Sequence, residues 1–136
     1  MKKIKKSTIV KAKQASKHIL EFYYMIPAVV TAKELTRTVR CVEEEAVDVW
    51  PELNLMEVVL EHDSLILQDG RECFIDPLDL EFIEENHIQS IFAVSYEEAD
   101  EAMARKALKD MMTQKGGFLC SDTEDFAPMW TAETIA

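Results

Sequence analysis

Glycine is scarce in this chain, with three residues in 136, where average usage near 7% would supply about nine or ten. That weighs against folds built on a glycine-rich phosphate loop. No P-loop, dinucleotide fingerprint, G-x-S-x-G elbow or H-E-x-x-H helix occurs either. Cysteine is also sparse. Cys41, Cys73 and Cys120 are an odd number at wide spacing, which makes neither a disulfide framework nor a CxxC metal or redox pair. Reduced thiols in a cytoplasmic protein are the expectation. Long apolar runs are missing too: the longest stretch without charge, Phe22 to Ala32, has eleven residues and contains Pro27, against the roughly 18 a membrane span needs. The lysine-rich start, Phe22–Val30 and Val30-Thr31-Ala32 loosely imitate a secretory signal. Against that, the basic region would run about 20 residues, Glu21 abuts the apolar stretch, and a proline interrupts it.

Acid is what the chain has in excess: 26 Asp and Glu against 15 Lys and Arg, a net charge of −11. With 48% hydrophobic and 30% charged residues, the composition is that of a folded globular chain, and the length fits one domain over 1–136. The charge is unevenly placed. Residues 1–40 hold ten bases against Glu21 and Glu34, a net of +8, while the remaining 96 residues hold five bases and 24 acids, a net of −19.

Periodicity and capping signals predict an α+β domain that begins with two amphipathic helices. Ser7 would cap the first, running to about Met25, with Ala12, Ala15, Ile19, Phe22, Tyr23 and Ile26 on one face and Lys13, Gln14, Lys17, His18 and Glu21 on the other; Pro27 would stop it. Thr31 and Glu34 have capping-box spacing. They would open a second helix with Ala32, Leu35, Val39, Val42, Ala46 and Val49 inward, Trp50 on the same apolar side, and Pro51 closing it. Leu65–Gln68 and Arg71–Phe74 read as a hairpin across Asp69-Gly70. Asp76-Pro77 reads as the start of a short helix ending near Asn86, and Ile88–Val94 as a strand. Ser95 and Glu98 would cap a helix that Gly116 ends, returning through Phe118–Cys120 to complete a β-α-β unit. Residues 1–6 form a basic arm in this reading, and 129–136 a loose tail.

Two functional classes compete. Acids recur at Glu43–Glu45, Glu61/Asp63, Asp76/Asp79/Glu81, Glu84/Glu85, Glu97/Glu98/Asp100/Glu101 and Asp122/Glu124/Asp125. They either solvate the surface or form a negative face that docks on a basic patch, a nucleic-acid mimic in the limit. The leading expectation is a non-catalytic interaction protein, an inhibitor, immunity protein or regulator, binding a basic partner surface through Glu43, Glu44, Glu45, Glu84, Glu85, Asp122, Glu124, Asp125 and Trp130. The alternative is a nucleic-acid-binding module whose Lys2, Lys3, Lys5, Lys6, Lys13 and Lys17 contact phosphate.

Catalytic and metal chemistry find little support. Glu84 and His87 have Glu-x-x-His spacing, but a carboxylate di-iron site needs a second copy and two further glutamates. His18, His62 and His87 are too dispersed for a zinc set. Ser121–Asp125 lacks the glycine-containing twelve-residue loop of a specific calcium site. A cysteine enzyme would need Cys73 or Cys120 to meet a histidine through the fold. No cofactor is expected.

Overall fold

Residues 19–26 place Leu20, Phe22, Tyr24 and Ile26 in alternation with Ile19, Glu21, Tyr23 and Met25, and in an extended chain those two sets point to opposite faces. A computed structural model describes residues 18–135, and there this segment is strand β1 (Ile19–Ile26). The expected first helix is therefore wrong over its described part; its remainder lies outside the described residues. Aromatic and β-branched residues fit a pleated surface. Because β1 sits inside the sheet, both of its faces bear apolar side chains, which a helical wheel mistakes for one stripe.

The second helix is also corrected. The capping box forms, with Glu34 N–H donating to Thr31 Oγ1 at 3.2 Å and Thr31 N–H to Glu34 Oε1 at 2.9 Å. The helix, α1 (Ala32–Thr36), then ends after five residues. Thr36 and Thr38 return their hydroxyls to the carbonyls of Lys33 and Leu35, a local bond that competes with helix propagation. The chain continues as a loop, makes one 3-10 turn at Glu44–Ala46 and enters strand β2 (Val47–Trp50). Trp50, expected in the core, is 37% exposed, since alternation turns it away from Val47 and Val49.

Strands β3 (Leu55–Val59) and β4 (Ser64–Asp69) pair with each other, so the hairpin turns at residues 60–63 and not at Asp69-Gly70. Gly70 has φ −120°, outside the positive region that a type I′ turn requires, and its N–H donates to Ile91 O at 2.9 Å. Helix α2 (Pro77–Glu85) begins as its sequence predicts, Asp76 accepting from Leu78 N–H at 2.8 Å. Asp76→Ala should cost about 1 kcal/mol by loss of this cap, measurable as a fall in the urea midpoint. Strand β5 (Ser90–Glu97) runs through Ser95, so the expected Ser95/Glu98 capping box does not form. Glu97 instead accepts from Ala99 N–H, ahead of helix α3 (Glu101–Lys115), which Gly116 follows. Strands β6 (Phe118–Ser121) and β7 (Met129–Trp130) complete the fold.

The seven strands lie in the order β2-β3-β4-β5-β1-β6-β7, and every neighbouring pair is antiparallel. Strands β5 and β6 both pair with β1 and so run in the same direction with β1 between them. The expected β-α-β unit is thus opened by a strand from the start of the described chain. Nor are residues 129–135 a loose tail, residue 136 lying outside the described residues: β7 pairs with β6, Ile135 is buried, and Arg105 Nη1 donates to Ile135 O at 3.1 Å.

One face of the sheet carries Tyr24, Met56, Val58, Leu65, Leu67, Phe92, Val94 and Tyr96, covered by Leu35 of α1 and by Ala104, Ala107, Leu108 and Met111 of α3. The opposite face is covered only in part. There Met25, Ile91 and Cys120 meet Phe74, Ile83, Ile88 and Phe126 from α2 and its flanking loops.

Candidate functional site

Two cross-strand rows cross the second face, mostly over the part that no described residue covers. Asp48 stands opposite Glu57, Glu57 opposite Ile66, Ile66 opposite Ser95, and Ser95 opposite Glu21. The next row reads Trp50, Leu55, Gln68, Ala93, Tyr23, Cys120 and Met129. Residues opposite one another in an antiparallel pair share a face, and like charges placed so are destabilising. Asp48 and Glu57 are such a pair, with no base in either row. Ser64 donates its hydroxyl to the Glu57 carboxylate, which orients that acid on the surface.

At the centre, the small side chains of Ala93 and Ser95 leave a shallow trough of about 190 Å³, lined also by Glu21, Tyr23, Ile66, Gln68 and Asp122. Tyr23 closes one end, its ring packed 4.8 Å from Phe74. Burial, with Asp122 and Cys73 beside it, pushes the Tyr23 hydroxyl up to about 12, so it stays a neutral hydrogen-bonding group. Beyond Tyr23, α2 and its approaches carry Glu72, Asp76, Asp79, Glu81, Glu84 and Glu85 around Ile75 and Leu78, which are 82% and 74% exposed.

The described bases gather on one side of the sheet. Of the eight described bases, Lys33, Arg37 and Arg40 lie on α1 and the loop after it, and Arg105, Lys106, Lys109 and Lys115 lie on α3, all on the helical side. Only Arg71 lies on the α2 side, where its Nη1 donates to Gln89 O at 2.9 Å.

The fold divides the acids expected to bind a partner. Glu84 and Glu85 of α2 lie on the open-face side, as do Asp122, Glu124 and Asp125 in the loop that Phe126 anchors against Phe74 and Phe82. Glu43, Glu44 and Glu45 lie at the β2 edge, where Glu44 borders the Lys33 and Arg37 groove. Trp130 belongs to the helical face, edge-on to Phe22 at 5.7 Å and under the Arg105 guanidinium at 4.7 Å. Lys2, Lys3, Lys5, Lys6, Lys13 and Lys17 lie outside the described residues. Glu21, Asp48 and Glu57 were not singled out as site residues. The period-2 alternation in Ile-Leu-Glu-Phe-Tyr-Tyr and Val-Asp-Val-Trp was the signal available for two of them.

The remaining titratable groups serve the fold. Asp100 is buried and accepts from the backbone N–H of His62 and Asp63 and from His62 Nδ1 at 2.8 Å, pinning the β3–β4 turn to the start of α3. Burial pushes the Asp100 carboxyl up, but the His62 ring and the two backbone donors outweigh it and hold the group below its ordinary value. The same ring bond to Asp100 raises His62, outweighing the opposing effect of desolvation. Burial, aided by Asp122, pushes the Cys120 thiol up to about 12, which keeps it protonated and unreactive. Among the described residues no group of three His, Cys, Asp or Glu is placed to hold a metal ion, and no helix is long and apolar enough to cross a membrane. Comparisons with family models, characterised proteins and solved structures return no match for this chain.

Proposed function

We propose that the protein is an interaction module that binds a basic surface of a partner protein through the open face of its sheet and the adjoining α2 flank. The observation that carries this reading is the row Asp48, Glu57, Glu21, with Asp122 at its end, on the part of the second sheet face that no described helix covers. An antiparallel sheet that merely faces water has no use for directly opposed acids, which repel; a basic partner would relieve that repulsion. Exposed apolar groups flank the acids, Trp50 and Val59 on β2 and β3 and Ile75 and Leu78 on α2 and its approach. They would supply the desolvated anchors that acids alone do not. The acids would steer encounter and set register. Occupying a basic patch in this way would occlude whatever that patch otherwise binds, the action of an inhibitor or regulator.

Fluorescence-detected binding to poly-L-lysine tests the reading. Affinity should fall steeply with added salt. Combined reversal by Glu21→Lys, Glu57→Lys and Asp122→Lys should weaken binding about tenfold or more at low salt, each exposed charge contributing up to about 1 kcal/mol. Reversal of Glu43, Glu44 and Glu45 should change it by less than about twofold. Equal losses from both triple variants, or binding indifferent to salt, would overturn the assignment of this face.

A further inference from the structure

The helical side carries a second surface of opposite sign. Strand β2 ends the sheet, and no described strand pairs with its outer edge. Beside it, α1 and the loop after it form a groove of about 590 Å³ with Val39, Val42, Val47 and Val49 as its apolar lining and Lys33, Arg37 and Arg40 as its charged rim; Glu44 is the one acid among its lining residues. None of the three cations is in an ion pair among the described residues. The outer wall is held in place: Asp110 of α3 accepts from the backbone N–H of Arg40 at 2.8 Å and of Cys41 at 3.1 Å. In a chain with a net charge of −11, three exposed bases without an ion pair among the described residues, gathered around four valines beside a strand edge, offer a surface complementary to an acidic occupant.

We propose that this groove receives an extended acidic segment of another protein, which adds as a strand to β2. The exposed edge offers backbone donors and acceptors. Strand pairing would send every second side chain of the segment to the helical side, where apolar groups meet the valines and carboxylates meet Lys33, Arg37 and Arg40. Arg guanidinium groups bind carboxylates in a planar, two-pronged manner that Lys does not reproduce. This site is independent of the acidic face, so the protein would join a basic partner and an acidic one.

The probe is a blocked octapeptide of two Glu-Thr-Val-Thr repeats, which as a strand sets glutamate and valine on one side, titrated by fluorescence polarisation with full-length protein. Micromolar binding is expected, lowered about tenfold or more by Arg37→Glu with Arg40→Glu and by a smaller factor, about twofold to fivefold, by the corresponding lysine variants, which keep the charge but lose the two-pronged geometry. Arg40 Nη1 also bonds loop carbonyls, so Lys33→Glu, which leaves the loop intact, is the second variant and should show a smaller loss in the same direction. The same octapeptide with N-methylated backbone amides should lose binding, because the edge bonds are then unmade. Equal binding of the methylated peptide, full displacement by millimolar inorganic phosphate, or no binding of the parent peptide would overturn strand addition. So would self-association in sedimentation that the reversal variants abolish, since the occupant would then be a second copy. Poly-L-lysine binding should be no weaker in every groove variant, which separates failure here from failure of the acidic-face reading.

Discussion

Gly117→Ala should destabilise the protein by about 3–5 kcal/mol, whereas Gly116→Ala should cost only about 1–2 kcal/mol. Both glycines adopt positive φ, +85° and +77°, where a Cβ is strained. The difference lies in what surrounds them. A Cβ on Gly117 would overlap Met25 O and meet Tyr24 Cε1 at 3.0 Å and Ile26 Cα at 3.1 Å, while a Cβ on Gly116 meets nothing within 4 Å. The first contact is with the backbone of β1 and cannot be relieved by a rotamer change. Tyr24 adds to the closeness by donating its hydroxyl to Gly116 O at 2.7 Å. Urea denaturation of the two variants measures the comparison directly. Equal losses would mean that the α3–β6 connection moves off β1 freely. Since β1 also carries Glu21 and Tyr23, the larger loss should be accompanied by weakened poly-L-lysine binding.

Asp100→Ala should cost about 2–4 kcal/mol, because it leaves the backbone N–H groups of His62 and Asp63 without their acceptor and frees the β3–β4 turn. The His62–Asp100 pair also implies a defined pH window. Asp100 is held below its ordinary value of 3.8, so its contribution is complete above about pH 4 and disappears as pH falls through the lowered value of the folded state. His62 is held above 6.5, so its contribution is complete below about pH 6.5 and is lost as pH rises through the raised folded value. The difference in melting temperature between wild type and His62→Ala should thus be widest between about pH 4 and 6.5 and narrow on both sides. A difference independent of pH would show that the ring acts by packing alone.

Local signals in this chain hold where the chemistry is local. Asp76 followed by Pro77 starts α2, Thr31 and Glu34 close a capping box, and Gly116 follows α3. These depend on bonds within a few residues. The errors came where burial on two sides removes the distinction between periods. In β1, Phe22 and Tyr24 face one layer and Tyr23 and Met25 the other; with both sets apolar, a 3.6-residue stripe and a two-residue alternation fit the same letters. In Val47–Trp50 the strand is too short for alternation to outweigh the helical pattern begun at Ala32. Asp69-Gly70 has a hairpin's letters, but Gly70 is packed against Ala93, a contact that only the β4–β5 pairing creates.

The candidate site follows the same division. The amount of acid, its concentration after residue 40 and the basic bias before it are properties of the amino-acid sequence alone, and they limit the partners to those of complementary charge. Which acids act together was a tertiary decision. Asp48 and Glu57 sit on consecutive strands, but Glu21 joins their row only because β5 pairs with β4 on one side and with β1 on the other. The same order leaves part of one sheet face uncovered by described residues and gathers seven of eight described bases behind the other. A side chain's face is fixed by whether its segment is helix or strand and by which strands flank it, and both depend on long-range pairing that no local window contains.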